Sequence, residues 1–465
     1  MRAIGADEVW GRLVLDNPWW TDGAVPLDGR RLRPGPLAPF AALVEDVSVR
    51  CVRLTGPRAA GKTTLLLQTV DRLIADGHPR ASIVYLSCAT PTYAGLRLAS
   101  LLDRVVAAHG LPRLKPIFLL LDDSEAMPDW PLQVRTIANR MPALTCIASV
   151  SVEAAPRQPV PALLAGDMEI FHLPPPGFAE TLSIRRAGRR PLIAHDPNAN
   201  QIAVAAMDSL NEAFLDWACG GGLGLAAFGQ GGGRPVSALL GNGMIERILW
   251  PDIPAAFGIG NPADLFRVFA MLALNSGEEV SLESIATATG AAKNTIRKYL
   301  DYLEAAWLLT RVDKIDLDNG VFERARSFKV YLNDPALRSL LAGPPAPESP
   351  GMARAVENAV FAAWRGRNPE GRVYFARRRG RDIPFVSAPP PEAPEQGYGL
   401  FYVDWSDDPP APGDLKLPAP GEAPLVAQAE IFTRGLAQTS AEGADPRIVY
   451  TPAAVYCWDT GRWDA

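Results

Sequence analysis

One octapeptide limits the folds open to this chain more than any other feature. Residues Gly56-Pro57-Arg58-Ala59-Ala60-Gly61-Lys62-Thr63 satisfy the pattern G-x-x-x-x-G-K-[ST]. The setting matters as much as the letters. A short β-rich run, residues 50–54, precedes the octapeptide, and Leu65, Leu66, Val70, Leu73 and Ile74 follow it at helical spacing. In a strand–loop–helix of this kind the glycines let successive backbone N–H groups curl around a phosphate at the helix N-terminus. Lys62 then balances the β/γ charge and the Thr63 hydroxyl faces a Mg²⁺ ion. The expected ligands are ATP and Mg²⁺, and the expected nucleotide contacts are Gly56, Ala59, Ala60, Gly61, Lys62, Thr63 and Thr64.

A P-loop needs a carboxylate from a neighbouring strand, and the chain supplies one. Apolar runs at 83–86, 117–121 and 145–150 alternate with helical segments, which predicts a parallel α/β sheet. The run Ile117-Phe118-Leu119-Leu120-Leu121 ends in Asp122-Asp123. Asp122 is the expected second metal residue beside Thr63, and Asp123 the residue expected to orient the attacking water. Asp123 is one methylene shorter than glutamate, so slow hydrolysis is expected. Ser149, ending the next strand, is a candidate sensor of the γ-phosphate, with a plain strand-end serine as the alternative.

Composition narrows the rest. The 465 residues have room for about three domains. A net charge of −5 provides no global positive field for nucleic acid or an anionic membrane, so any DNA contact must be local. The five cysteines show no paired spacing, which argues against a zinc site or a disulfide framework and fits a reducing cytoplasm. No signal peptide or membrane span is evident at the N-terminus or elsewhere, so no membrane partner is expected. The 40 glycines and 44 prolines exceed globular norms and point to loops and insertions; ten glycines fall within 220–243, read as a linker.

Residues 264–275, Val280, 282–288, a turn at Gly290 and 293–307 give the spacing of a winged helix-turn-helix. On its last helix Lys293, Asn294, Arg297 and Lys298 face outward while Ile296, Leu300 and Leu303 face inward, making a candidate edge for a DNA major groove. Residues 281–315 carry five basic against four acidic residues, which does not indicate strong duplex affinity. A solvated face, a protein partner or self-association are the alternatives. Arg377-Arg378-Arg379-Gly380-Arg381 reads as a hairpin turn rather than a phosphate clamp.

Together NPWW, LTGPRAAGKTTLL, FLLLDDSEAMPDW, LLAGDMEIFHLPPPGFAE, KNTIRKYLDYLEAAWLL, FKVYLNDPAL and AVENAVFAAW resemble a bacterial and archaeal family of AAA-type ATPases, over nearly the whole chain. The resemblance implies a P-loop domain, a winged helix and a C-terminal domain similar to restriction endonucleases. That last fold would place a helix glutamate, a strand aspartate and a Glu-x-Lys around a metal. Glu357 matches the helix glutamate, but the strand reads Asp382-Ile383-Pro384-Phe385-Val386, with Pro384 where the ligand belongs. Residues 399–405 hold no Glu-x-Lys, so Glu357 and Asp382 are read as vestiges of an inactive nuclease. The family arginine downstream of the sensor is replaced by Asp167. The expected architecture is an N-terminal arm (1–49), a P-loop domain with lid and linker (50–255), a winged helix (256–320) and a degenerate nuclease-like domain (321–465). The expected activity is a slow ATPase acting on or near DNA; a scaffold that binds ATP with little turnover and recruits a protein, or an active nuclease, are the rivals.

Overall fold

The structure, a computed structural model, describes residues 5–28, 30, 32–112, 115–152, 168–185, 207–223, 248–317, 327–378, 380–406, 409–415, 417–418, 425–435 and 445–460. Asp167 and most of the glycine-rich run lie outside these residues. The chain divides into two compact units, Met1–Pro174 and Pro175–Ala465.

In the first unit the sheet strands are β1 (Cys51–Thr55), β2 (Ile83–Ser87), β3 (Ile117–Asp122), β4 (Leu144–Val150) and β5 (Met168–His172). They lie in the order β2-β3-β4-β1-β5, every pairing parallel. A parallel sheet is covered on both faces, so its strands read as apolar runs rather than alternations. One face carries α2 (Pro34–Glu45) and α3 (Lys62–Ala75), whose Phe40, Val44, Leu65, Leu66 and Val70 pack on Val52, Leu54, Ile83, Leu120 and Ile147. The other carries α1 (Ala6–Asp16), α4 (Leu98–His109) and α5 (Trp130–Arg140), through Val9, Leu13, Leu101, Val105 and Ile137. The chain winds from β1 to the far edge, returns through β3 and β4, and ends with β5 on the other side of β1. The loop after β1 therefore sits at a topological switch point, outside the strands' carboxyl ends.

Residues 1–49, expected as an N-terminal arm, form α1, a 3₁₀ turn at Pro18–Trp20 and α2. Pro34 fits the first helical turn, where a missing N–H costs nothing. The NPWW segment seals the edge of the sheet. Asn17 Nδ2 donates to Tyr85 O at 2.9 Å and the Tyr85 N–H donates to Asn17 Oδ1 at 2.6 Å. The Trp19 and Trp20 indole N–H groups both donate to Ile83 O, at 3.1 and 3.0 Å.

The second unit begins earlier than the boundary expected near 255. Helices α6 (Phe178–Arg185) and α7 (Met207–Gly220), within the span expected for the P-loop domain, share a core with Val356, Val360, Trp364 and Cys457. The apolar faces of Phe178, Phe214 and Trp217 decide this, because they pack on those residues. Next come α8 (Ile253–Phe257), α9 (Pro262–Leu274), β6 (Glu279–Ser281), α10 (Leu282–Thr289), α11 (Lys293–Ala305), β7 (Leu309–Lys314) and β8 (Ser327–Leu332). Ser281 Oγ accepts from the Ser284 N–H at 3.0 Å and starts α10, and Gly290, at φ +75°, takes the left-handed conformation that ends it. Then follow α12 (Ala336–Ala342), α13 (Pro350–Arg367), β9 (Val373–Arg378), β10 (Arg381–Ser387), β11 (Tyr398–Val403), α14 (Pro412–Leu415), β12 (Val426–Thr433), β13 (Ile448–Pro452) and α15 (Ala453–Thr460).

All the strands of this unit join one mixed sheet, β13-β12-β11-β10-β9-β7-β8-β6. The seam is the parallel pairing of Asp313 and Lys314 with Tyr374 and Phe375. The segments expected as separate domains at 256–320 and 321–465 thus share a continuous sheet. Asp334 ties the unit further, its carboxylate accepting the N–H groups of Gly222, Leu223 and Ala336 at 2.7–2.9 Å. Burial raises that carboxyl to about 6.

Candidate nucleotide site

Three strand ends of the first unit converge. β1 delivers the P-loop, β3 delivers Asp122 and Asp123, and β4 delivers Ser149. Gly56 stands at φ +152° within 2.2 Å, measured from a Cβ built onto it, of the Leu173 carbonyl, so no side chain fits there. Gly61 is left-handed at φ +98° and caps α3. Ala59 shares the left-handed region at φ +62°, a cost accepted at the turn of the loop.

Lys62 is buried and its ammonium donates to the carbonyls of Gly56 and Pro57, both at 2.8 Å. Desolvation lowers its pKa to about 8, against the opposing pull of Glu125, Asp123 and Asp122. The Thr63 hydroxyl donates to Asp122 Oδ2 at 2.7 Å. The two expected metal residues are therefore adjacent, and a hydroxyl beside a carboxylate is an all-oxygen donor pair of the kind a hard divalent cation accepts.

Asp122 is held firmly on both carboxylate oxygens. Tyr85 donates its hydroxyl to Asp122 Oδ2 at 2.8 Å, and Ser149 donates to Oδ1 at 2.7 Å. Ser149 Oγ also accepts the Asp123 N–H at 2.9 Å and is fully buried. Its one hydroxyl proton is directed at Asp122, so in this arrangement Ser149 supports Asp122 rather than presenting a donor to a γ-phosphate. Asp123 has a left-handed backbone (φ +52°) and turns its carboxylate toward Arg58 Nη1 and Ser151 Oγ, both at 3.5 Å. Glu125, absent from the sequence-derived set, reaches the same cluster, its Oε1 accepting the Ser151 N–H at 2.8 Å. Arg33 is also new. It is buried behind the P-loop, and its Nη1 donates to the carbonyls of Ala60 and Pro174. Ala60 is buried in the loop and Thr64 is buried on α3. No local sequence pattern marks Tyr85 or Arg33, because each meets the site only through strand order and a distant loop.

In the second unit Lys293, Asn294, Arg297 and Lys298 are all exposed on α11, while Ile296, Leu300 and Leu303 are buried. Lys293 pairs with Glu283 at 3.2 Å and Arg297 with Asn294 at 2.9 Å. Glu357 and Asp382 have different hydrogen-bond partners. Tyr331 donates its hydroxyl to Glu357 Oε1 at 2.6 Å, whereas Asp382 is held by Arg377 Nε at 2.6 Å. Pro384 lies in β10 at a shift of register, and its carbonyl is 3.1 Å from the Tyr331 hydroxyl. Among the described residues no three His, Cys, Asp or Glu side chains are grouped to hold a metal, and no helix is long and apolar enough to cross a membrane.

A parallel sheet in this order, with a glycine-rich loop at its switch point and Lys62, Thr63 and Asp122 converging on it, defines a P-loop nucleotide-binding fold. Residues 48–182 match the family model of the AAA domain. Residues 238–348 match a domain of unknown function (DUF8612). Solved structures similar to the chain include C. elegans PCH-2, at 16% identity over 38% of this chain and 57% of that one with a TM-score of 0.27. Another is Drosophila ORC bound to DNA, at 15% identity over 71% and 91% with a TM-score of 0.23. The chain thus spans 57% of the PCH-2 chain it matches. No curated protein matches it significantly.

The depressed Lys62 pKa makes a pH prediction. Near pH 8 the ammonium is about half protonated, and a bound triphosphate favours the charged form. Binding of a non-hydrolysable ATP analogue at pH 8 is therefore expected to take up about half a proton. Affinity falls as pH rises through about 8, because the protein must then acquire the proton it has lost. Calorimetry in buffers of different ionisation enthalpy measures the uptake, and buffer-independent heats at pH 8 would contradict it.

Proposed function

We propose that the chain is an ATPase whose nucleotide state sets the posture of the second unit, which acts on or near DNA. The convergence of Lys62, Thr63 and Asp122 carries this reading. Thr63 and Asp122 would hold Mg²⁺, which when bound offsets charge on the β- and γ-phosphate oxygens. Tyr85 and Ser149 hold the Asp122 carboxylate in place, Lys62 balances phosphate charge, and the loop N–H groups orient the triphosphate.

In the same reading α9, β6, α10, α11, β7 and β8 make a winged helix, with Lys293, Asn294, Arg297 and Lys298 of α11 as its candidate DNA edge. The order helix–strand–helix–helix–hairpin supports this. The remainder of the sheet, β9 to β13 with α13 and α15, is read as a nuclease-like fold without nuclease chemistry, supported by Pro384 and by the separate partners of Glu357 and Asp382. A second reading, a nucleotide-gated scaffold with little turnover that recruits a protein or a second copy, is favoured by the Asp123 side chain facing Arg58.

Phosphate release from ATP by the purified chain, with and without duplex DNA, tests both. Mg²⁺-dependent turnover that DNA stimulates is the expected result. ATP binding without turnover would leave the scaffold, and turnover indifferent to DNA would remove DNA from the reading.

A further inference from the structure

The cluster around Lys62 contains one carboxylate oxygen with an unfilled role. The 3₁₀ turn Ser124–Ala126 follows β3 and is fixed against β4, because the buried Ser124 hydroxyl donates to Ser149 O at 2.8 Å. That turn presents Glu125. Its Oε1 is engaged by the Ser151 N–H, and its Oε2 is buried with no hydrogen-bond partner among the described residues. A buried carboxylate oxygen left unpaired is costly, and native folds keep such a group where it has a task.

The position of Glu125 indicates the task. Ser151 sets it beside the site: its N–H donates to Glu125 Oε1 at 2.8 Å and its Oγ lies 3.5 Å from Asp123 Oδ1. Lys62 marks the side of the P-loop that takes the β- and γ-phosphates. Asp123 is differently placed, with its left-handed backbone carrying the carboxylate to Arg58 and Ser151, where it is partly exposed. Asp122 has both oxygens engaged by Thr63, Tyr85 and Ser149. Glu125 is thus the carboxylate of this group with a buried oxygen whose lone pairs are available.

We propose that Glu125, and not Asp123, holds and deprotonates the water that attacks ATP; this rests on the ATPase reading above. The water oxygen forms a bond to the γ-phosphorus, the bond from that phosphorus to the β–γ bridging oxygen breaks, and ADP leaves with the electron pair. The water proton passes to Glu125 Oε2 and then to the released phosphate or solvent. Burial and the neighbouring Asp123 raise the Glu125 carboxyl above the ordinary carboxylate value, which makes the carboxylate a stronger base.

The test uses the full chain with Mg²⁺ and ATP, comparing Glu125→Gln with Asp123→Asn and measuring kcat alongside the ATP Kd. Glutamine keeps the acceptor for the Ser151 N–H and removes only the basic oxygen. The expected result is a fall in kcat of about a hundredfold or more for Glu125→Gln, with the ATP Kd within about twofold of wild type and a smaller fall for Asp123→Asn. Glu125→Gln turning over within about threefold of wild type, or losing no more than Asp123→Asn, overturns the assignment. So does a loss explained wholly by weaker ATP binding. Absence of turnover in the wild-type chain would overturn the ATPase reading and this inference together, whereas turnover that survives Glu125→Gln overturns this inference alone.

Discussion

Lys62→Ala is expected to lower kcat/KM for ATP at least a hundredfold, roughly the effect of removing a preorganised charged donor, without unfolding the first unit. The reason lies in the two opposing forces on this side chain. Burial disfavours the ammonium strongly enough to bring its pKa to about 8 despite three carboxylates acting the other way. A side chain held at such a cost contributes little to net stability, since deleting it also deletes its desolvation penalty. What it loses locally are two donors to the Gly56 and Pro57 carbonyls. Thermal unfolding should therefore shift by only a few degrees while phosphate release disappears. Lys62→Ala that hydrolyses ATP at the wild-type rate would show that the measured turnover does not arise at this loop.

Much of this site was legible in the sequence because its physics is local. The P-loop is a continuous segment, and its flanking strand and helix announce themselves through apolar runs and helical spacing, as do Ile117–Asp122 and Leu144–Val150. The outward set on α11 follows from helical periodicity for the same reason. Features that depend on register between distant strands were not legible. Nothing near Tyr85 indicates that β2 lies beside β3 with Ser87 opposite Asp122, which is what brings the Tyr85 hydroxyl to that carboxylate. Ser149 is legible as a strand-end polar residue, but the destination of its hydroxyl depends on how β3 and β4 align. Glu125 lies three residues beyond Asp122 in plain view; the turn that carries it to the Ser151 N–H begins at a left-handed residue, Asp123, where aspartate tolerates φ > 0.

The division into domains failed to show for a related reason. Local patterns describe β7 and β9 as members of different modules, but two residue pairs, Asp313 with Tyr374 and Lys314 with Phe375, join them into one sheet. The boundary expected between residues 320 and 321 therefore separates sequence patterns and not sheets. Asp334, within the motif FKVYLNDPAL, does comparable work by fastening Gly222 and Leu223 across more than a hundred positions of chain. Neither link has a signature in the residues next to it.

Asn17→Leu is the second large effect, and it falls on stability. β2 is the edge strand of the parallel sheet, so the outward N–H and C=O of Tyr85 and the C=O of Ile83 have no strand to bond. Asn17 answers both Tyr85 groups with its amide, and Trp19 and Trp20 answer Ile83. Leucine fills a similar volume but offers no donor or acceptor, leaving two buried backbone groups unpaired at about 1–3 kcal/mol each. The expected loss is about 2–6 kcal/mol, against roughly 1–2 kcal/mol for Trp19→Phe, where the Trp20 indole still serves the Ile83 carbonyl. Amide exchange separates this from a general loosening. The Tyr85 amide should exchange far faster in Asn17→Leu, while amides of the interior strand β4 change only by the global loss of stability. Equal protection of Tyr85 in the variant and the wild type would show that the Asn17 amide does not hold this edge.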